Sequence, residues 1–159
     1  SRMQVFPEAF HEIIEYGILS SQTKPNDPME KAICRLGDDF LKDTEHLHHD
    51  WNMVREYPLT RELLAMSRVF TDEQTGAFVI AAKGAPESIF DLCHLKDTKN
   101  LENAIQNMAS QGLRVLGVAR ATVPASALPD IQHDFEFESV GLIGLSDPIR
   151  PEVKDFVLL

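Results

Sequence analysis

LLAMSRVFTDEQTGAFVIAAKG, residues 63–84, decides the fold. Two β-type runs, LLAMSRVF (63–70) and AFVIAA (77–82), flank the polar turn segment TDEQTG (71–76). That pattern predicts a hairpin, and with it antiparallel pairing. The second run ends in one cation, Lys83, followed at once by Gly84, Ala85, Pro86 and Glu87 and the start of a helical pattern.

Outward from the hairpin, further β-type runs occur at WNMVREYPL (51–59), LRVLGVARATV (113–123) and FEFESVGLIGL (135–145). Residues 98–111, TKNLENAIQNMASQ, place Leu101, Ala104, Ile105 and Met108 on one helical face, with Gly112 after the end. Residues 7–19, PEAFHEIIEYGIL, read as a helix with Pro7 near its first position. SSQTKPNDP (20–28) is a loop by composition. Asp27 then caps a second helix, with Pro28 at the first helical position, Glu30 at the third, and Met29, Ile33, Leu36, Phe40 and Leu41 as its buried face. Hairpin-joined strands interrupted by helices predict an α+β domain: a mostly antiparallel twisted sheet flanked by helices.

Composition narrows the function. The chain has 159 residues, 43% of them apolar, enough for one globular domain with a real core. Its net charge of −10 argues against wrapping DNA or RNA, yet leaves room for one small anion at a local basic pocket. Cys34 and Cys93 form no CxxC and no disulfide framework, so reduced thiols are expected. No run approaches the ~20 apolar residues that cross a bilayer, and no signal peptide opens the chain, so a soluble piece is expected.

The residues able to carry chemistry cluster around the hairpin. A lysine at a strand end sets a point charge on the rim of a sheet. Gly84 and Ala85 let a ligand approach the backbone, and Pro86 presets a helix start whose free N–H groups favour an anion. Together they make a phosphate-facing corner; a solvated lysine before an ordinary turn is the plainer alternative. Neither GxxxxGK[ST] nor GxGxxG occurs, so no P-loop is expected. Arg114, at the start of a later strand, either reaches a second anionic oxygen or forms a surface ion pair, and Arg61 has the same two readings. Leu59, Leu63, Leu64 and Met66 are core packing or an apolar platform for a flat ring. Glu30 either accepts a hydrogen bond from an exocyclic amine or bonds back to its own helix start.

EHLHHD (45–50) holds three histidines, but no second ligand set accompanies them, and a solvated segment rather than a metal site is expected. His11, His94 and His133 are isolated, and no Ser-His-Asp or Cys-His arrangement can be argued. Asp147-Pro148-Ile149-Arg150-Pro151 is stiff and poor in hydrogen bonds, as a hinge or any domain boundary is.

Four stretches, in order, resemble the nucleotide-binding domain of P-type cation-transporting ATPases. They are DPMEKAI (27–33), KGAPE (83–87), QGLRVLGVA (111–119) and GLSDPIRPEV (144–153), and the resemblance spans roughly residues 5–153. It implies that Lys83 and Gly84 line the inner end of an adenosine cleft, that Glu30 lies near the adenine amine, and that Arg114 contacts the phosphate chain. Arg61 and Met66 match positions of the segment that covers adenine. In calcium pumps of the sarcoplasmic reticulum type a phenylalanine stacks on the ring there; the matching residue here is Leu59, which forgoes about 0.5–1.5 kcal/mol of aromatic contact. Asp147, Pro148 and Arg150 fall in the hinge to a phosphorylation domain.

The resemblance implies ATP as ligand, with Mg²⁺ accompanying the triphosphate and not held by this domain alone. The expected partners are the phosphorylation and actuator domains of a parent pump, and the expected setting is a cytoplasmic domain of an integral membrane protein. The aspartyl-phosphate motif Asp-Lys-Thr-Gly-Thr is absent from the chain, so no catalytic residue is expected within it, while the parent is a hydrolase and translocase. Residues 1–150 would be the nucleotide-binding domain, and 151–159 the stub of the next domain's helix. Residues near 5 and near 148 would then lie close together. The similarity leans towards bacterial, calcium-pump-like enzymes, and the open site suggests an affinity of about mM. Two other functions fit parts of this pattern. One is a regulatory or interaction module that keeps the fold without nucleotide, favoured by Leu59. The other is a phosphatase-type hydrolase, which lacks its DxDx[TV] strand end here.

Overall fold

A computed structural model describes residues 8–21, 27–40, 51–124, 128–146 and 152–158. Helices α1 (Glu8–Leu19) and α2 (Pro28–Phe40) come first, followed by strands β1 (Asn52–Tyr57), β2 (Ala65–Thr71) and β3 (Ala77–Gly84). Helices α3 (Pro86–Leu92) and α4 (Lys99–Ser110) precede β4 (Arg114–Pro124), β5 (Glu138–Ser146) and β6 (Glu152–Leu158). The six strands form one antiparallel sheet in chain order, β1-β2-β3-β4-β5-β6. The fold is α+β, as the hairpin reading requires.

The hairpin closes through Asp72 N–H to the Ala77 carbonyl (3.0 Å) and Gly76 N–H to the Asp72 carbonyl (2.9 Å). Gly76 has φ +70°, a conformation that side chains with a Cβ resist. At the start of α2, Asp27 Oδ1 accepts from Met29 N–H at 2.7 Å, which is the expected cap. Ile33 and Leu36 are buried as expected and Met29 is half-buried; the side chain of Phe40 and residue Leu41 lie outside the described residues.

Strand parity organises the core. Ile80 and Ala82 pack with Ile89 and Leu92 of α3, while Ala81, between them, packs with Leu19 of α1. The central strand β3 is thus covered on both faces, which is why its sequence is a continuous apolar run. The α1–α2 face is filled by Ile13, Ile14, Ile33 and Leu36 against Val118, Val140, Ile143 and Leu145.

The β4–β5 connection is held to the α3 face by buried polar contacts. Tyr57 Oη donates to the Pro129 carbonyl at 2.5 Å, and Gln132 Nε2 donates to the Ala65 carbonyl at 3.0 Å. Ser67 Oγ donates to Gln132 Oε1 at 2.5 Å.

Glu152–Leu158 is a strand paired with β5, which corrects the expected helical stub. The sequence there has a helix-like start, but the edge of β5 offers a full ladder of backbone partners, and Val153 gains a buried place against α1 and α2. Pairing in the folded chain outweighs the local preference. The hinge residues Asp147, Pro148 and Arg150, the EHLHHD segment and the residues near position 5 lie outside the described residues.

Candidate functional site

The same parity that builds the core selects the site. Met66 and Lys83 are paired in register on β2 and β3, and both lie on the α1–α2 face of the sheet. At that end of the sheet β2 begins, β3 ends and β4 begins, and the first turn of α2 lies over them. The result is an open cleft of about 470 Å³, within the range of small-molecule sites.

Of the residues singled out from the sequence, Glu30, Leu59, Met66, Lys83, Gly84 and Arg114 line this cleft. Arg61 is exposed and is not part of the lining. It sits in a turn whose ends are tied by Thr60 N–H to the Leu63 carbonyl (3.0 Å) and Leu63 N–H to Thr60 Oγ1 (3.1 Å). The cleft also takes in Asp27, Glu87 and Leu64. Asp27 was legible only as a cap and Glu87 only as part of a helix start; both reach the cleft because each opens a helix at its rim.

Lys83 is not a solvated rim charge. Its Nζ donates to Glu30 Oε1 in a buried ion pair, with side-chain exposures of 10% and 9%, and lies 3.6 Å from Met66 Sδ. The inner end of the cleft is therefore a neutral ammonium–carboxylate pair beside a thioether. Arg114 stands exposed at the outer rim, and Leu59 and Leu64 are 56% and 48% exposed at the mouth. Such a gradient, apolar and charge-paired within and cationic at the rim, suits an amphiphilic anion bound with its flat apolar part inward.

The thiols are free and protonated. Burial pushes the Cys93 thiol up to about 11. Cys34, one turn after Glu30 on α2, is also raised, by burial first, then by the charges of Glu30 and Asp38, with Lys83 opposing. Burial, then Glu15 and Glu138, push the Tyr16 hydroxyl up to about 12. Each of these groups resists ionising in the folded chain, so their contribution to stability is intact below the unfolded thiol and phenol range. It is lost as pH rises through about 9 to 12. Unfolding free energy is expected to decline over that window, and Cys93→Ala to flatten the thiol part of the decline; urea titrations at stepped pH check this. Among the described residues no group of three or more His, Cys, Asp or Glu is placed to hold a metal ion.

With the cleft defined, comparison with known proteins identifies the family. The family described as P-type ATPase, cytoplasmic domain N, matches residues 14–152. The chain belongs to that family. It is 31% identical over 145 residues to the sodium/potassium exporting P-type ATPase cta3 of Schizosaccharomyces pombe, covering 84% of this chain and 14% of that protein. It is 26% identical over 151 residues to calcium-transporting ATPase 1 of Bacillus cereus, covering 87% of this chain and 17% of that one. A probable cation-transporting ATPase of Mycoplasma genitalium is 26% identical over 149 residues, 89% of this chain and 16% of that protein. The chain thus spans about one-sixth of the length of these relatives or less. No helix among the described residues is long and apolar enough to cross a membrane.

Proposed function

We propose that this domain binds ATP and presents its γ-phosphate to an aspartate on the phosphorylation domain of a cation-transporting parent pump. The observation that carries the proposal is the cleft itself, where a buried Lys83–Glu30 pair, an aliphatic mouth and an outer arginine converge at one sheet end. In this reading the purine lies inward between Met66 and Leu59, and Glu30 accepts from the exocyclic amine. Arg114 faces the phosphates, and Arg61 is a candidate for phosphate oxygens that project beyond the cleft.

Three carboxylates and two cations line the cleft, so a bare triphosphate meets no net positive charge. That supports Mg²⁺ arriving with the nucleotide. Transfer itself then rests on positioning and charge stabilisation. The parent's other domains supply the phosphorylated aspartate and the ion path; we propose a boundary with them near residue 150, close to the end of the family match at 152, across which β6 continues the sheet. Two relatives named as calcium-transporting ATPases, from Bacillus cereus and Bacillus subtilis, support a bacterial, calcium-pump-like parent. A cytoplasmic location follows from the same family.

Titration of the chain with Mg·ATP, followed by amide shifts, tests the proposal. Shifts are expected at Glu30, Lys83, Gly84 and Arg114, with a Kd of about mM. Arg114→Ala is expected to weaken binding about three- to tenfold, the worth of one charged contact at an exposed rim. No shift at several mM nucleotide would favour the interaction-module reading instead, and phosphatase turnover by the chain alone would revive a hydrolase.

A further inference from the structure

The aliphatic mouth of the cleft is held by two hydroxyls that no charge or motif singles out. Leu64 N–H donates to Ser88 Oγ at 3.2 Å, and the Leu64 carbonyl accepts from Ala85 N–H at 2.9 Å. Ser88 lies in the first turn of α3, and Ala85 immediately follows Lys83 and Gly84. The loop carrying Leu59 and Leu64 is therefore clamped through both backbone polar groups of one residue, Leu64, to the segment that follows the buried cation. Within the loop, Thr60 Oγ1 accepts from Leu63 N–H at 3.1 Å while Thr60 N–H donates to the Leu63 carbonyl at 3.0 Å, closing a tight turn between the two leucines.

We propose that Ser88 and Thr60 are positioning residues that hold the Leu59–Leu64 loop in place as the aliphatic wall facing Met66, so that affinity for the base depends on them and affinity for the phosphates does not. This rests on the nucleotide reading of the cleft. Leu59 and Leu64 remain about half exposed, so packing covers only about half of each side chain. An aliphatic surface has no quadrupole to orient a ring; it gains only by contact, and contact requires the loop to be held at the correct distance from the Met66 side of the cleft. Preorganisation of the loop supplies that spacing without an ordering cost on binding. The clamp also explains why the loop can stand open. The Leu64 N–H is exposed, so water can replace Ser88 as its acceptor with little loss of stability, but water cannot tether the loop to α3.

The experiment titrates the chain with ATP, adenosine and inorganic tripolyphosphate, comparing Ser88→Ala, Ser88→Thr and Thr60→Val, with urea unfolding in parallel. Ser88→Ala and Thr60→Val are each expected to weaken adenosine and ATP about three- to tenfold, the worth of one hydrogen bond. Tripolyphosphate should stay within about twofold, the urea midpoints should hardly move, and Ser88→Thr, which keeps the acceptor, should restore the base affinity. Equal losses for adenosine and tripolyphosphate, or no loss for either, would overturn the positioning role while leaving nucleotide binding intact. Failure of the unsubstituted chain to bind adenosine or ATP would remove both this inference and the reading beneath it.

Discussion

Lys83→Met is expected to destabilise the chain by about 3–5 kcal/mol in urea unfolding, because it takes the Lys83 cation away from a buried carboxylate. Glu30 is 7% exposed and Lys83 9%, so neither charge has water to fall back on. Glu30→Leu leaves the ammonium in the same position and is expected to cost a similar amount. The double variant, Lys83→Met with Glu30→Leu, should recover most of the loss, since an apolar pair of similar size avoids both desolvation costs. The coupling from that double-mutant cycle is therefore large and favourable to the pair. A single variant costing under about 1 kcal/mol would show that water reaches the charges and that the pair is a surface one. Nucleotide binding should be lost in all three variants, including the double variant that refolds. That separates the pair's two roles: an apolar replacement satisfies the core, but offers no acceptor for an amine and no charge at the inner end of the cleft.

The two partners of that ion pair lie 53 residues apart in the chain, which is why half of the site was legible beforehand and half was not. Lys83 could be placed at a strand end because the hairpin is a local pattern: two β-type runs around a polar turn that ends in glycine. Glu30 could be placed at the third position of a helix because Asp27 and Pro28 mark the helix start. That the two meet depends on how α2 docks across the sheet, and docking is decided by Ile33 and Leu36 against Val118, Ile143 and Leu145 from strands distant in sequence. The same reasoning covers the misread segment at the end of the chain. PEVKDFVLL has a helix-like start, and only the unpaired edge of β5 makes it a strand. The contacts of Gln132 with Ser67 and Ala65 were invisible for a related reason: a buried glutamine is recognisable only once the backbone groups it satisfies have been brought to it.

Gly84→Ala is expected to cost about 3 kcal/mol, at the upper end of what overpacking does, because the added methyl has nowhere to go. A Cβ there would overlap the Leu64 carbonyl oxygen and stand 2.6 Å from the Ala65 Cα and 2.8 Å from its Cβ. None of those atoms can swing away as the tip of a long side chain can. Gly84 and Ala65 are register partners, so relief requires β2 and β3 to part at the cleft end. Parting them breaks the Ala85 N–H bond to Leu64 and moves Leu64 off the Ser88 hydroxyl. Gly112→Ala provides the control. Gly112 has φ +77°, but nothing lies within 4 Å of its added Cβ, so that substitution pays only backbone strain, about 1 kcal/mol. Urea unfolding of the two variants compares steric overlap at a strand pair with strain at a helix end. If Gly84→Ala costs no more than Gly112→Ala, the two strands are looser at the cleft than their register indicates. The folded fraction of Gly84→Ala should also bind adenosine more weakly, while Gly112→Ala should not, because only the first substitution displaces the loop that carries Leu59 and Leu64.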